Sequence, residues 1–176
     1  IEDRCASMLA IIARMTDRGR VNTRSLMRWR RYSCGSFVPA KILPQMADAA
    51  EIVAYARTIP GLTVLALVPN FRGAEDAIAA GAHKIALPLS ASETHSKANL
   101  RKTHAEVLED VRRIAGLLRS MPADKRPGLE GNVATAFGCT LEGTVPESKV
   151  VELAVALMEA GCDDIVSHLI PPTVFS

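Results

Sequence analysis

Seven successive residues, Leu62 to Val68 (LTVLALV), are apolar but for one threonine, and few folds can accept such a run. Alternating apolar and polar residues would mark a strand with one wet face, whereas continuous apolarity marks a strand buried on both. The run Ile85 to Leu89 has the same character. Between the two stand a polar corner (Pro69, Asn70) and a short helix over Ala74 to Ala80 closed by Gly81, and a polar loop, Ser90 to Asn99, follows. Two buried strands joined by a helix read as one βαβ unit of a parallel sheet. In such folds the polar residues just past each strand carry the chemistry.

The rest of the chain repeats the unit. Ser36 to Val38 reads as the end of a strand, followed by an extended loop held by Pro39 and Pro44. Asp48 to Thr58 places Ile52, Val53 and Ala56 on one helical face, and Pro60 and Gly61 stop it. A T-x-x-E capping box at Thr103 and Glu106 opens a helix with Val107, Leu108, Val111, Ile114, Ala115 and Leu118 at helical spacing. Asn132 to Phe137 is the next strand, Gly138 to Thr144 a loop, and a second capping box at Thr144 and Glu147 opens a helix to Ala160. Ala80-Gly81-Ala82-His83-Lys84-Ile85 and Ala160-Gly161-Cys162-Asp163-Asp164-Ile165 echo each other, each ending a helix at Gly and restarting an apolar run four residues on. That rhythm fits doubly wound sheets and (β/α)8 barrels alike. No GxGxxG follows any strand, which counts against dinucleotide binding. At 176 residues the chain has room for about five of a barrel's eight strands.

Charge is uneven. The first 34 residues hold eight Arg, no Lys and three acids, a net of +5 against −3 for the remainder. No helix-turn-helix, zinc knuckle or stacking pattern accompanies those arginines, so no nucleic-acid partner is expected. Within that segment Met8, Leu9, Ile11, Ile12 and Met15 could line a helix, while Thr23 to Cys34 shows neither period. The apolar run Ser7 to Ala13 is far shorter than the ~20 residues of a membrane span and lacks a cleavage signal, so neither a membrane partner nor a leader is expected. Four cysteines (Cys5, Cys34, Cys139, Cys162) without a CxxC signal free thiols rather than zinc or disulfides.

The strand-end residues are Ser36, Asn70, Ser90, Ser92, Glu93, His95, Asn99, Cys139 and Glu142. On a barrel they would face one mouth, and hydroxyl, amide and carboxylate groups together suit an oxygen-rich small substrate. Glu93 and His95 read as an acid and base pair or as metal ligands; for His95 alone a solvated loop histidine is the plainer reading. Cys139 reads as a packed thiol before a nucleophile. His83, His104 and His168 have no partners at ligand spacing and read as structural or surface residues. Asp163 and Asp164 open a strand and so belong to the opposite, stabilising end.

Several of these loops resemble one family. Ser36-Phe37-Val38-Pro39-Ala40-Lys41 running into Leu43-Pro44-Gln45-Met46-Ala47-Asp48, then Val68-Pro69-Asn70-Phe71-Arg72-Gly73, then Ser90-Ala91-Ser92-Glu93 with Asn99, and Phe137-Gly138-Cys139 with Glu142-Gly143 are similar, in order and spacing, to the hydroxymethylglutaryl-CoA lyase family. The resemblance implies a partial (β/α)8 TIM barrel of roughly strands 2 to 6, an α/β fold. It also implies a carbon–carbon lyase acting on 3-hydroxy-3-methylglutaryl-CoA to give acetoacetate and acetyl-CoA, with a divalent cation, Mg²⁺ or Mn²⁺. Ser36, Asn70, Ser92, Glu93 and Asn99 would then shape the acyl-CoA site, and Cys139 and Glu142 the architecture of the mouth. It implies a cytoplasmic location, or the mitochondrial matrix in a eukaryote, and admits a homodimer.

The departures are as specific. The family's Arg-Asp-Gly motif has no counterpart, Ser33 stands where a glutamate is expected, and Val166 to Ser176 contains no acid where an aspartate is expected near Leu169. The His-x-His pair, the late asparagine and the catalytic Cys loop have no counterparts, so catalytic residues are unassigned and no metal ligand is expected in this chain. The division read from the sequence is an irregular Arg-rich segment 1–34, a partial barrel 35–165 and a non-matching tail 166–176, with TRSLMRWRRYSC and SHLIPPTVFS unlike barrel strands, as shifted reading frames would produce. The alternatives are a related condensing enzyme of the isopropylmalate or citramalate synthase type, and a non-catalytic barrel remnant acting as a binding module.

Overall fold

A computed structural model describes residues 31–169; the helix expected around Met8 to Met15, Cys5 and the tail beyond Leu169 lie outside the described residues. Five parallel strands form one sheet: β1 (Arg31–Ser36), β2 (Thr63–Leu67), β3 (Lys84–Ser90), β4 (Gly128–Ala136) and, after a two-stranded hairpin of β5 (Gly138–Cys139) and β6 (Gly143–Thr144), β7 (Asp164–Leu169). Their spatial order, β1-β2-β3-β4-β7, is the order of the chain. A doubly wound sheet reverses direction at a switch point. This one does not, so each crossover steps the same way and the helices gather in one layer: α1 (Ala49–Ala56) against α2 (Phe71–Ala79), α2 against α4 (His104–Arg119), α4 against α5 (Glu147–Ala160). The arrangement is an arc of a (β/α)8 barrel, which settles the choice the strand rhythm left open.

Strand register decides which side chains meet the helices. Val64 and Ala66 of β2, Ile85, Leu87 and Leu89 of β3, and Leu129 and Val133 of β4 are fully buried and pack with Ile52, Val53, Val107, Val111, Ile114, Leu153 and Leu157 from the helices. Alternate residues, Leu65 and Leu67 among them, turn to the concave side and are half-buried. Gly131 lies where sheet and helix come closest. A Cβ there would sit 2.8 Å from Ile165 and 3.0 Å from Leu157, so only glycine lets β4, β7 and α5 close up.

The echo in the sequence is an echo in structure. Gly81 (φ +85°) and Gly161 (φ +114°) both adopt the left-handed conformation that ends their helices. In each case the following residue returns a hydrogen bond into the last turn, Ala82 N–H to Ala77 and Cys162 N–H to Leu157.

Several boundaries differ from the sequence reading, for local reasons. β1 begins at Arg31 and β7 runs through His168 to Leu169, so both flanking segments read as unlike barrel strands supply strand backbone: Arg31, Tyr32 and Ser33 pair with Thr63, Val64 and Leu65, and Ser167 with Val133. Partners across the sheet, not their own periodicity, make them strands. Helix α2 starts three residues early because Asn70 Oδ1 accepts from Gly73 N–H at 2.9 Å. Ser90 to Asn99 is not all loop: residues Glu93–Leu100 form α3, capped by Ser92. The box at Thr103 and Glu106 forms as expected. Thr144 and Glu147 make none, because Pro146 occupies the N-cap of α5 and gives no side-chain cap.

Candidate functional site

The carboxyl ends of the strands converge on α3 and the hairpin loop after β4. Ser90 ends β3 with 1% of its surface exposed, and its hydroxyl lies 2.8 Å from Nδ1 of His95. Its carbonyl accepts from Nε2 of His104 at 2.8 Å. Ser92, equally buried, caps α3 by accepting from His95 N–H (3.0 Å), while its own N–H donates to Thr135 Oγ1 (3.1 Å). Glu142 reaches over from the hairpin loop and accepts from Thr94 N–H at 3.0 Å. Hydrogen bonds from Thr94 and Ser92, with His104 nearby, hold the Glu142 carboxyl below the ordinary carboxylate value.

Of the residues expected at the mouth, Ser90, Ser92, His95 and Glu142 thus form one cluster. His95 is half-buried on a helix and paired, not a solvated loop histidine. Glu93 is exposed and pairs with Lys97 (3.5 Å), not with His95, and Asn99 is exposed near the far end of α3. Ser36 ends β1 beside Leu67. Asn70 spends its side chain on capping α2 and lines a groove of about 660 Å³ between α1 and α2, walled by Phe37, Pro39, Met46 and alanines. That groove lies between the two helices and the loop that follows β1, apart from the Ser90–His95–Glu142 cluster. Cys139 is fully buried, and its sulfur accepts from Leu141 N–H, which fits the packed-thiol reading. Thr135, which joins the cluster, had no signal: a β-branched residue with φ +53° is the last to be expected in a left-handed conformation. The register shift in β4 between Val133 and Ala136 is what turns it toward Ser92.

The opposite end of the sheet carries the other polar cluster. Lys84 pairs with Asp164 and with Glu130 (3.8 Å). His83 Nδ1 accepts from Val64 N–H (3.0 Å), and Asp163 accepts from Leu129 N–H (2.7 Å). The Cys162 thiol nearby is pushed up to about 12 by burial and by Asp163 and Asp164. As expected for residues opening strands, Asp163 and Asp164 sit at the stabilising end.

Among the described residues no three His, Cys, Asp or Glu side chains gather as a cation would require, so the donor set does not fit a divalent metal. No described helix is long and apolar enough to cross a membrane.

Comparison with known proteins agrees with this geometry. The HMGL-like family model, whose members are generally metal-dependent, matches residues 38–174 and so extends well past the expected break near Ile165. Rat (Rattus norvegicus) cytoplasmic 3-hydroxy-3-methylglutaryl-CoA lyase is 37% identical over 130 residues, covering 74% of this chain and 37% of the relative. Mouse (Mus musculus) mitochondrial hydroxymethylglutaryl-CoA lyase is 35% identical, covering 74% and 39%. The solved HMG-CoA lyase of Acinetobacter baumannii, in complex with coenzyme A and 3-methylmalate, superposes with a TM-score of 0.74 at 33% identity, covering 84% of this chain and 47% of its own. That of Brucella melitensis gives 0.70 at 34%, covering 78% and 47%. The chain spans less than half the length of these relatives. With a family match across most of its residues and the arc-shaped sheet to go with it, the chain belongs to the HMGL-like family.

Proposed function

We propose that this chain forms the substrate-shaping arc of an acyl-CoA carbon–carbon lyase acting on 3-hydroxy-3-methylglutaryl-CoA. The observation that carries the proposal is the family match over residues 38–174, joined to relatives named as lyases for this substrate. In the reaction the tertiary hydroxyl gives up its proton as the adjacent C–C bond breaks. The electron pair leaves on the acetyl-CoA enolate, which takes a proton, and acetoacetate is the second product. Ser36, Asn70, Ser92, Glu93 and Asn99 contribute to the acyl-CoA site, and Cys139 and Glu142 hold its rim. The two capping side chains act by fixing where α2 and α3 begin. The family cation, Mg²⁺ or Mn²⁺, has no fitting donor set among the described residues, so no step is routed through it. The same proposal places the protein in the cytoplasm, or in the mitochondrial matrix of a eukaryote, a reading supported by relatives named cytoplasmic and mitochondrial, and includes a homodimer.

Titrating the ¹⁵N-labelled 176-residue protein with the acyl-CoA tests this reading. Amide shifts at Ser36, Asn70 and Ser92 to Thr94 are expected, with no acetoacetate formed. Unmoved amides at millimolar thioester would overturn the site. Mg²⁺-dependent acetoacetate from this chain alone would overturn its purely shaping role.

A further inference from the structure

Polar contacts dominate the seating of α3. Its eight residues bury only Ser96, whose hydroxyl donates to the Lys102 carbonyl at 2.9 Å, and Leu100 in the last turn is its single apolar foothold on the core. A helix of two turns without an apolar face does not hold itself. What seats it are the Ser92 cap, the Ser90–His95 hydrogen bond and the Glu142 carboxylate, which reaches Thr94 N–H from a loop 48 residues away in sequence.

Backbone strain collects at the same corner. Among the described residues the non-glycines with positive φ are Arg101 (+56°), Thr135 (+53°) and Phe137 (+67°). Arg101 terminates α3, with Lys102 beyond it pinned to Asp110. Thr135 receives the Ser92 N–H, and Phe137 begins the loop that carries Glu142. Each such residue is strained and persists only where its surroundings over-determine it. A weakly packed helix, bracketed by strain and tied down by a few hydrogen bonds, has the construction of a moving element.

We infer that α3 is a lid hinged at Ala91–Ser92 and Arg101–Lys102, and that Glu142 is its latch, a positioning residue that caps the helix from the neighbouring loop and so keeps His95 on Ser90. The inference does not depend on the identity of the substrate. Beside the latch, Glu93, His104 and Lys149 line a small cavity of about 190 Å³ and are the charged or titratable groups that face Glu142 from α3, α4 and α5. Since the hydrogen bonds from Thr94 and Ser92 hold the Glu142 carboxyl below its usual 4.5, the latch is at full strength at and above that pH and weakens as acidification protonates it, because a neutral carboxyl accepts less strongly.

Amide hydrogen exchange on the full chain, comparing α3 with α4 as internal reference, tests the latch. Glu142→Ala is expected to speed exchange across Thr94 to Asn99 about tenfold, the equivalent of one lost charge-assisted hydrogen bond, with α4 unchanged. Glu142→Gln, which keeps an acceptor for Thr94, should stay within about threefold of the parent. The ¹⁵N signals of the His95 ring should move in the Ala variant while those of His83 do not. Unchanged α3 exchange in Glu142→Ala overturns the latch. Equal acceleration of α3 and α4 also overturns it, because Glu142 would then support the whole fold and not the lid.

Discussion

The two ends of the sheet use similar side chains for different work. At the amino ends of the strands, His83, Asp163, Lys84, Glu130 and Asp164 bond to neighbouring strands or to each other, and the turns that deliver them are glycines suited to their left-handed backbone. At the carboxyl ends, Ser92, Thr135, His95 and Glu142 bond to helix termini and loops, and three left-handed positions, Arg101, Thr135 and Phe137, are filled by non-glycines. One end ties strands together without strain; the other holds movable pieces in place with it. That is the division of a barrel into a stabilising face and a working face, visible even in five strands.

The hardest test of the contrast is Lys84→Ala. It removes the ammonium that Asp164 and Glu130 share, and should lower unfolding free energy in urea by about 2 kcal/mol; a loss below about 1 kcal/mol would mean that charge does not hold this end. Removing the α4 cap with Thr103→Ala should cost about 1 kcal/mol globally, because α4 buries a full apolar face. Ser92→Ala removes the N-cap of α3, yet the global unfolding free energy should fall by less than about 0.5 kcal/mol while α3 amides exchange faster. Equal global losses from the two caps would erase the distinction. The smallest effect is a pH slope. Burial and the Arg57 charge lower the His83 pKa from 6.5, so the unfolded chain takes up its proton first. Stability should be full above pH 6.5 and decline as the pH falls below it, and His83→Gln should flatten that decline.

The strands and long helices were legible where burial repeats along the chain: β2, β3, α1, α4 and α5 lie within a residue or two of the sequence reading. Legibility failed where a residue's role is set by a distant partner. Arg31 to Ser33 carry no strand pattern and become strand because Thr63 to Leu65 lie alongside. Glu93 to Leu100 carry no helical face and become helix because Ser92, Ser90 and Glu142 hold the first turn. The list of nine polar residues past strands was no guide to partners: four come together, Asn70 turns to a helix cap, and Thr135 was missing.

By itself, then, the sequence determined a parallel βα unit, its repetition and its glycine stops, since apolar runs, capping residues and left-handed glycines act over a few neighbours. It also carried the family motifs. The tertiary structure alone decided that the strands follow in unbroken order, so that barrel and not doubly wound sheet results, and that Glu142 reaches Thr94 across 48 residues. Both depend on contacts between segments remote in the chain, whose free energy no local pattern records.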